Sequence, residues 1–584
     1  MADVRVILEL AHTTRLERNV LAVAAGEAEA LDSAAAPKLE TLTVDAEFAP
    51  VALPVVGAGE HPDEELYDTL AAVTVDEALE SSTYLIRGTV PETDLPALEA
   101  EAGKAKGVVG VYADVGIEPM LVCPGSPAVG TDSDVERLLC TKRLHGCRLD
   151  GSGVLVAIVD TGVNIAYLNS KGKTPTFDAG RSWAWNPAAV TPGSAPVGHG
   201  TMCAFDVCIA APSCTILDIA LLHSVSAAPG GTIMSGLLSD AIRAYSHLLG
   251  VMRAPRRPGE CRSLVVNNSW GMFHPSWDFP VGHAGNYSDN PNHPFNRIVV
   301  TLARAGADIL FAAGNCGADC PDGRCGSPPV TTRAIYGANS SPAVTCVAGV
   351  DTTKVRAGYS AIGPGRLSRR KPDISGYTHF RGSGVYPADG GTSAATPVVS
   401  GVVAAVRSGR PYDPTDSTTS PAAIRNLLTS TAEDLGPTGY DFRHGYGVVS
   451  GCALASKLRC VTRPVIDLCR RYPWLCGPRI DICKRYPWLC RGLPVPPPIP
   501  PIPPIREPVP PIPPIHGEGP AEELAELQGA DPVLGMVAAT AQADDLSPEE
   551  VAFLLGFAQG AAGDAVSPGP SSGRAGGCGC GGAG

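Results

Sequence analysis

Gly391-Thr392-Ser393-Ala394-Ala395-Thr396-Pro397 runs directly into Val398-Val399-Ser400-Gly401-Val402-Val403-Ala404-Ala405-Val406. The first stretch is a small-residue turn. The second is apolar on every face, which predicts a buried helix. A serine at the mouth of such a helix meets unpaired backbone N–H groups and the positive end of the helix dipole. That position stabilises an oxyanion forming beside the Ser393 hydroxyl. Thr-Ser before an apolar helix is more often a plain N-cap, so the reading depends on partners upstream.

Upstream, Gly153 to Val159 is a continuous apolar run ending at Asp160-Thr161-Gly162, the pattern of a strand buried on both faces of a parallel sheet. Thr215 to Leu222, Ser263 to Asn267, Asp308 to Ala313 and Val344 to Val350 repeat it, with helical segments at Gly236 to Leu249 and Pro294 to Ala305. This alternation predicts an α/β fold, a doubly wound and mostly parallel sheet. The site of such a sheet lies beyond the carboxyl ends of its strands.

Those ends carry the chemistry. Asp160 closes the first strand, His199 stands in Gly198-His199-Gly200-Thr201, and Asn315 follows a strand in Ala312-Ala313-Gly314-Asn315. Serine nucleophilic catalysis needs a base, a carboxylate to orient the base, and donors for the tetrahedral oxyanion. Ser393, His199, Asp160 and Asn315 fill those roles. Each alone has a plainer reading: Asp-Thr-Gly and Gly-Asn are common turns, a lone histidine is usually structural, and Thr-Ser is a cap. Four together, each beside a glycine at the end of a buried element, rarely coincide by chance.

With these motifs, plus Asn268-Ser269-Trp270-Gly271 and the closing Gly445-Tyr446-Gly447-Val448-Val449, the chain resembles the subtilisin-like serine proteases over roughly Val135 to Leu458. The triad order Asp, His, Ser is the one that family uses. The resemblance implies a serine endopeptidase with Ser393 as nucleophile, His199 as general base and Asp160 as its orienter. The Asn315 amide and the Ser393 N–H would form the oxyanion hole. It further implies that Ser269, Trp270 and Gly271 pair with the substrate backbone, and that they join Ala312, Ala313 and Gly314 as pocket walls. Trp270 reads equally well as a core residue. There are departures: Ala394 stands where the family commonly has methionine, and Cys316, Cys320 and Cys325 follow Asn315 directly. The three cysteines leave open a disulfide-braced loop, a redox control, a metal site or a plain surface insertion. No cofactor is expected, and no family calcium site matches residue by residue, so none is assigned.

The remaining chain is divided as 1–80, an N-terminal region of unknown role; 81–119, a strand-helix-strand unit similar to the family's propeptides; and 120–134, a linker in which self-cleavage would fall. After the peptidase domain at 135–458 come Cys-containing 14-residue repeats at 459–492 and a Pro-Ile polyproline II spacer at 493–516. A helical segment at 517–562 and a Gly/Cys-rich tail at 563–584 close the chain. The repeats and the proline run are candidate docking surfaces for a protein partner.

The 584 residues exceed one core, and a net charge of −14 argues against nucleic acid as a partner. No apolar run is long enough for a membrane span. Without a signal peptide the default compartment is the cytoplasm, with export by another route as the alternative suggested by 19 cysteines. The leading expectation is a peptidase made as a self-inhibited precursor acting on peptide or protein substrates. Competing readings are a catalytically idle peptide-binding scaffold and a maturation protease for a ribosomally made modified peptide.

Overall fold

A computed structural model describes residues 3–11, 39–54, 82–119, 127–228, 231–254 and 263–458. The chain divides into two compact units, Met1–Pro478 and Arg479–Gly584, and every described residue lies in the first. The expectations for 459–584, and for most of 1–80, fall outside the described residues.

The peptidase region is built on an eight-stranded sheet. Its order is Ile374–Tyr377, Thr345–Val350, Asp308–Ala312, Ser263–Asn268, Val154–Asp160, Thr215–Ala220 and Thr176–Phe177, with Trp183–Ala184 also paired to Thr215–Ala220. All its pairings are parallel. Val154–Asp160 sits where the strand order reverses, the switch point at which doubly wound sheets place their sites.

Strand alternation then sorts the side chains. Leu155, Ala157 and Val159 join a core with helices Leu238–Arg253 and Pro294–Arg304, while Val154, Val156 and Ile158 join a core with helices His199–Ala210 and Gly391–Gly409. Two residues past Ile158 on the same face comes Asp160, which therefore meets the helix that carries His199. Helices His199–Ala210 and Gly391–Gly409 touch closely because residue 401 is glycine, where a Cβ would overlap the Val207 carbonyl oxygen.

A second, antiparallel sheet has Thr43–Val44, Ser82–Pro91, Asp3–Leu10 and Val108–Ala113 in that order, with Val51–Pro54 also on Ser82–Pro91. Asp3–Leu10 is thus an interior strand of the small unit, and the division at residue 80 does not separate two structures. Sequence alone missed this because the partner strands lie some 80 and 100 residues away along the chain. The helix of the strand-helix-strand unit is short, Leu95–Ala102, preceded by a 3-10 turn at Glu92–Asp94. The sheet shares one continuous core with Leu238–Arg253 and Pro294–Arg304.

Among the described residues, no helix is long and apolar enough to cross a membrane. Disulfides join Cys140 to Cys452 and Cys316 to Cys325.

Candidate active site

Asp160 and His199 are both buried and bonded to each other: Nδ1 of His199 lies 2.8 Å from Oδ1 and 3.0 Å from Oδ2 of Asp160. A carboxylate only accepts, so Nδ1 carries the proton and the neutral ring presents Nε2 as its acceptor. Nε2 is buried and has no hydrogen-bond partner among the described residues. The ring's position comes from its place at the start of helix His199–Ala210, where the next amide, Gly200 N, donates to Thr161 Oγ1 at 2.9 Å. A Cβ at residue 200 would sit 2.5 Å from the Gly162 carbonyl oxygen, so only glycine lets this helix start so near the strand end.

One turn along the same helix, buried Cys203 points its Sγ between the other groups. It lies 3.8 Å from Asp160 Oδ2, 3.9 Å from His199 Nδ1 and 3.7 Å from the Ser393 carbonyl oxygen. One sulfur in reach of all three residues places Asp160, His199 and Ser393 around a single point. Burial, together with the Asp160 charge, pushes the Cys203 thiol well above its ordinary range, so it acts as a weak neutral donor. Asp160, His199 and Cys203 also form a compact group of metal-type ligands, with donor atoms within 4.8 Å of one another. A metal there would compete with the hydrogen bond that orients the imidazole.

Ser393 lies in the first turn of helix Gly391–Gly409, whose N-cap is Gly390. The first-turn amides have no carbonyl one turn back, and other groups take them up: Gly391 N donates to Tyr359 Oη at 3.1 Å and Thr392 N to Asn315 Oδ1 at 3.0 Å. Thr392 Oγ1 also donates to Asn315 Oδ1 at 3.0 Å, while accepting from Gly314 N at 3.1 Å. These bonds fix the carbonyl end of the Asn315 amide, whose other end, Nδ2, is a donor. At the other end of the turn, Pro397 has no N–H for the Ser393 carbonyl four residues back. Ser269 Oγ fills that gap, donating to Ser393 O at 3.0 Å.

The proposed binding strands also converge here. Trp270–Gly271 pairs antiparallel with Gly116–Pro119, Trp270 opposite Pro119 and Gly271 opposite Glu118. On its other edge Gly116–Pro119 pairs with Gly231–Leu237, Gly236 opposite Ile117. The end of the small N-terminal unit is therefore the middle strand of a sheet built over the site. Of the two sequence readings of Trp270, its side chain takes the core: the indole packs on Phe295 and Phe311 and donates to Val159 O at 2.9 Å, and only its backbone faces the strand. Ala312 and Ala313 are buried at the end of strand Asp308–Ala312, and Gly314 follows them. Asn339, missed in the sequence, ties the two walls by donating from Nδ2 to both Trp270 O and Ala312 O at 2.9 Å. It stands in Gly337-Ala338-Asn339-Ser340, far along the chain from either wall, and nothing local marks it.

The profile of the Subtilase family matches residues 151–447. Subtilisin DY of Bacillus licheniformis is 26% identical over 306 residues, covering 51% of this chain and 90% of its own. Subtilisin NAT of Bacillus subtilis subsp. natto is 26% identical over 314 residues, 53% of this chain and 68% of its own. M-protease of Shouchella clausii (strain KSM-K16) is 27% identical over 307 residues, 52% of this chain and 65% of its own. With a core of this topology and a family match over half its length, the chain belongs to the subtilase family and is a serine endopeptidase.

Proposed function

We propose that peptide-bond hydrolysis runs through Ser393, His199 and Asp160, with the residues up to Pro119 acting as a self-inhibiting segment. The observation that carries this reading is Cys203 Sγ lying within 3.9 Å of Asp160, His199 and Ser393, while the buried His199 Nε2 has no partner among the described residues. Ser393 Oγ attacks the scissile carbonyl carbon and His199 Nε2 takes its proton. Asn315 Nδ2 and the Ser393 N–H receive the oxyanion. The imidazolium, held by Asp160, then protonates the leaving amine as the C–N bond breaks. Water repeats the sequence on the acyl-enzyme to release the acid and restore the serine. No organic cofactor is needed.

In this reading Ser269, Trp270 and Gly271 offer their backbone to the substrate, and Ala312, Ala313 and Gly314 line the pocket beside it. Gly116–Pro119 occupies the same groove as an added strand. Its position in the groove supports self-cleavage in the 120–134 linker that follows. The disulfides Cys140–Cys452 and Cys316–Cys325 favour an oxidising compartment over the cytoplasm.

The test is a serine-directed fluorophosphonate on the full chain and on Ser393→Ala, followed by intact mass. Labelling at Ser393, with loss of the N-terminal segment in the parent chain alone, is the expected result. An unlabelled serine in folded protein whose N-terminal segment has been trimmed away would overturn the catalytic reading.

A further inference from the structure

Directly after Asn315 the chain makes a ten-residue loop closed by Cys316–Cys325. The loop folds back on the site, with Asp322 N donating to Asn315 O at 2.9 Å. Within it, Arg324 is held from one side by Asp322: Nε donates to Oδ1 at 2.9 Å and Nη2 to Oδ2 at 3.0 Å, a bidentate contact. Its guanidinium carbon lies 3.6 Å from the centre of the buried Phe273 ring. Clamped on one edge and stacked below, the guanidinium has Nη1 left to face the groove. Nη1 donates to Glu118 Oε2 at 2.8 Å and to Pro119 O at 3.0 Å. Its two hydrogens are thus spent on a side chain and a carbonyl of the strand that pairs with Trp270–Gly271.

We infer that Arg324 is a specificity-determining residue, selecting substrates with an acidic side chain at the position opposite Gly271. The assignment rests on reading Gly116–Pro119 as a substrate-like strand. The carbonyl contact is available to any peptide, whereas the Oε2 contact needs a side-chain acceptor in reach and is charge-assisted only when that acceptor is a carboxylate. Asp322 supplies the geometry as well as a counter-charge: it uses the Nε/Nη2 edge and so directs Nη1 at the strand. The arginine and the glutamate keep 25% and 17% side-chain exposure, so the contact is partly screened but not lost to water. A partly buried, charge-assisted contact of this kind corresponds to a preference on the order of tenfold. The Cys316–Cys325 disulfide closes the loop that carries Arg324.

The experiment uses protein expressed as the whole chain and allowed to mature, with three quenched-fluorescent peptides, alike except for Glu, Gln or Lys between an isoleucine and a proline in the order of Ile117-Glu118-Pro119. The parent should favour Glu over Gln in kcat/KM by on the order of tenfold, with Lys poorest. Arg324→Gln should bring the Glu-to-Gln ratio to about one, and Arg324→Glu should put Lys ahead of Glu. A parent that turns over Glu and Gln peptides equally overturns the assignment and leaves the peptidase reading intact. Absence of turnover with Ser393 unlabelled by fluorophosphonate sinks the peptidase reading instead. A second readout does not depend on turnover. In uncleaved chain carrying Ser393→Ala, Glu118→Gln and Arg324→Gln should each speed amide exchange across Gly116–Pro119, and the double variant should be no faster than the faster single one. Additive effects there would show that the two side chains act separately and would overturn the contact.

Discussion

Ser269 and Ser393 exchange hydrogen bonds across the floor of the site. Ser269 Oγ donates to the Ser393 carbonyl at 3.0 Å, and Ser393 Oγ donates to the Ser269 carbonyl at 3.1 Å. The Ser393 hydroxyl proton is thus engaged by Ser269, while His199 Nε2 has no hydrogen-bond partner among the described residues. In the proposed mechanism the Ser393 hydroxyl must give up its bond to Ser269 O before His199 Nε2 takes its proton.

Because Pro397 leaves the Ser393 carbonyl without a helical donor, Ser269→Ala should remove its hydroxyl donor and leave the weaker Cys203 thiol at 3.7 Å in a buried setting. The expected loss is about 1–3 kcal/mol in urea unfolding of the Ser393→Ala background. Adding Pro397→Ala restores an N–H four residues on and should recover part of that loss. If Ser269→Ala costs nothing, the carbonyl has another donor and this account of the turn is wrong.

Asn315→Ala removes the proposed side-chain donor to the oxyanion. A fall in kcat of roughly a hundred- to a thousandfold with little change in KM is expected, the general range for one such donor. Thr392→Val, which deletes the hydroxyl linking Gly314 N to Asn315 Oδ1, should produce a smaller loss of the same kind, and Thr392→Ser should restore it. Peptide kinetics on the three variants decide the matter. An Asn315→Ala loss confined to KM would move the residue from the oxyanion to ground-state binding.

Two buried carboxylates join helix His199–Ala210 to the approach to Ser393. Burial, and then the facing Asp389 charge, push Asp206 well above the usual carboxylate range. Burial raises Asp389 to about 6 against the two Ser383 donors that lower it. The Lys173 charge favours ionised Asp206 and the Asp132 charge opposes it. A carboxyl whose folded pKa lies above its unfolded value near 3.8 keeps a proton that the unfolded chain has released. Stability is therefore lost as pH rises from about 4 through 6 and beyond. Asp206→Asn keeps a donor for Asp389 and carries no charge, so its Tm should fall less steeply than the parent's between about pH 4 and 8. Parallel Tm–pH curves would show that the pair holds no shared proton.

The small unit is held to the peptidase core partly by Glu9, fully buried, whose two oxygens lie 2.8 and 2.9 Å from Arg297 Nη1. Thr83 Oγ1 donates to the same carboxylate at 2.5 Å. Removing one member of a buried pair leaves the other charge stranded, at about 3–5 kcal/mol, less here because Arg297 keeps 16% exposure. Arg297→Ala should therefore lower the unfolding midpoint of uncleaved Ser393→Ala chain by several degrees and reduce the yield of matured enzyme. An unchanged midpoint would remove this contact from the account of docking.

What the sequence determined by itself was whatever local rules govern. Apolar runs such as Gly153 to Val159 bury on both faces wherever they fold. A small-residue turn before an all-apolar helix sets Ser393 in a first turn, and glycine beside Asp160, His199 and Asn315 permits tight turns at element ends. Those features carried the doubly wound fold and the four candidate residues. Only the tertiary structure decided the rest, because the partners are distant in sequence and chemically ordinary. Asp3–Leu10 joins strands far along the chain, Cys316 chooses Cys325 over Cys320, and Asn339 bridges walls set by other strands. Arg324 meets Glu118 across a separation of 206 residues. A charge pair of that kind leaves no periodicity or spacing to read, since its energy depends on where two folded surfaces bring the charges together.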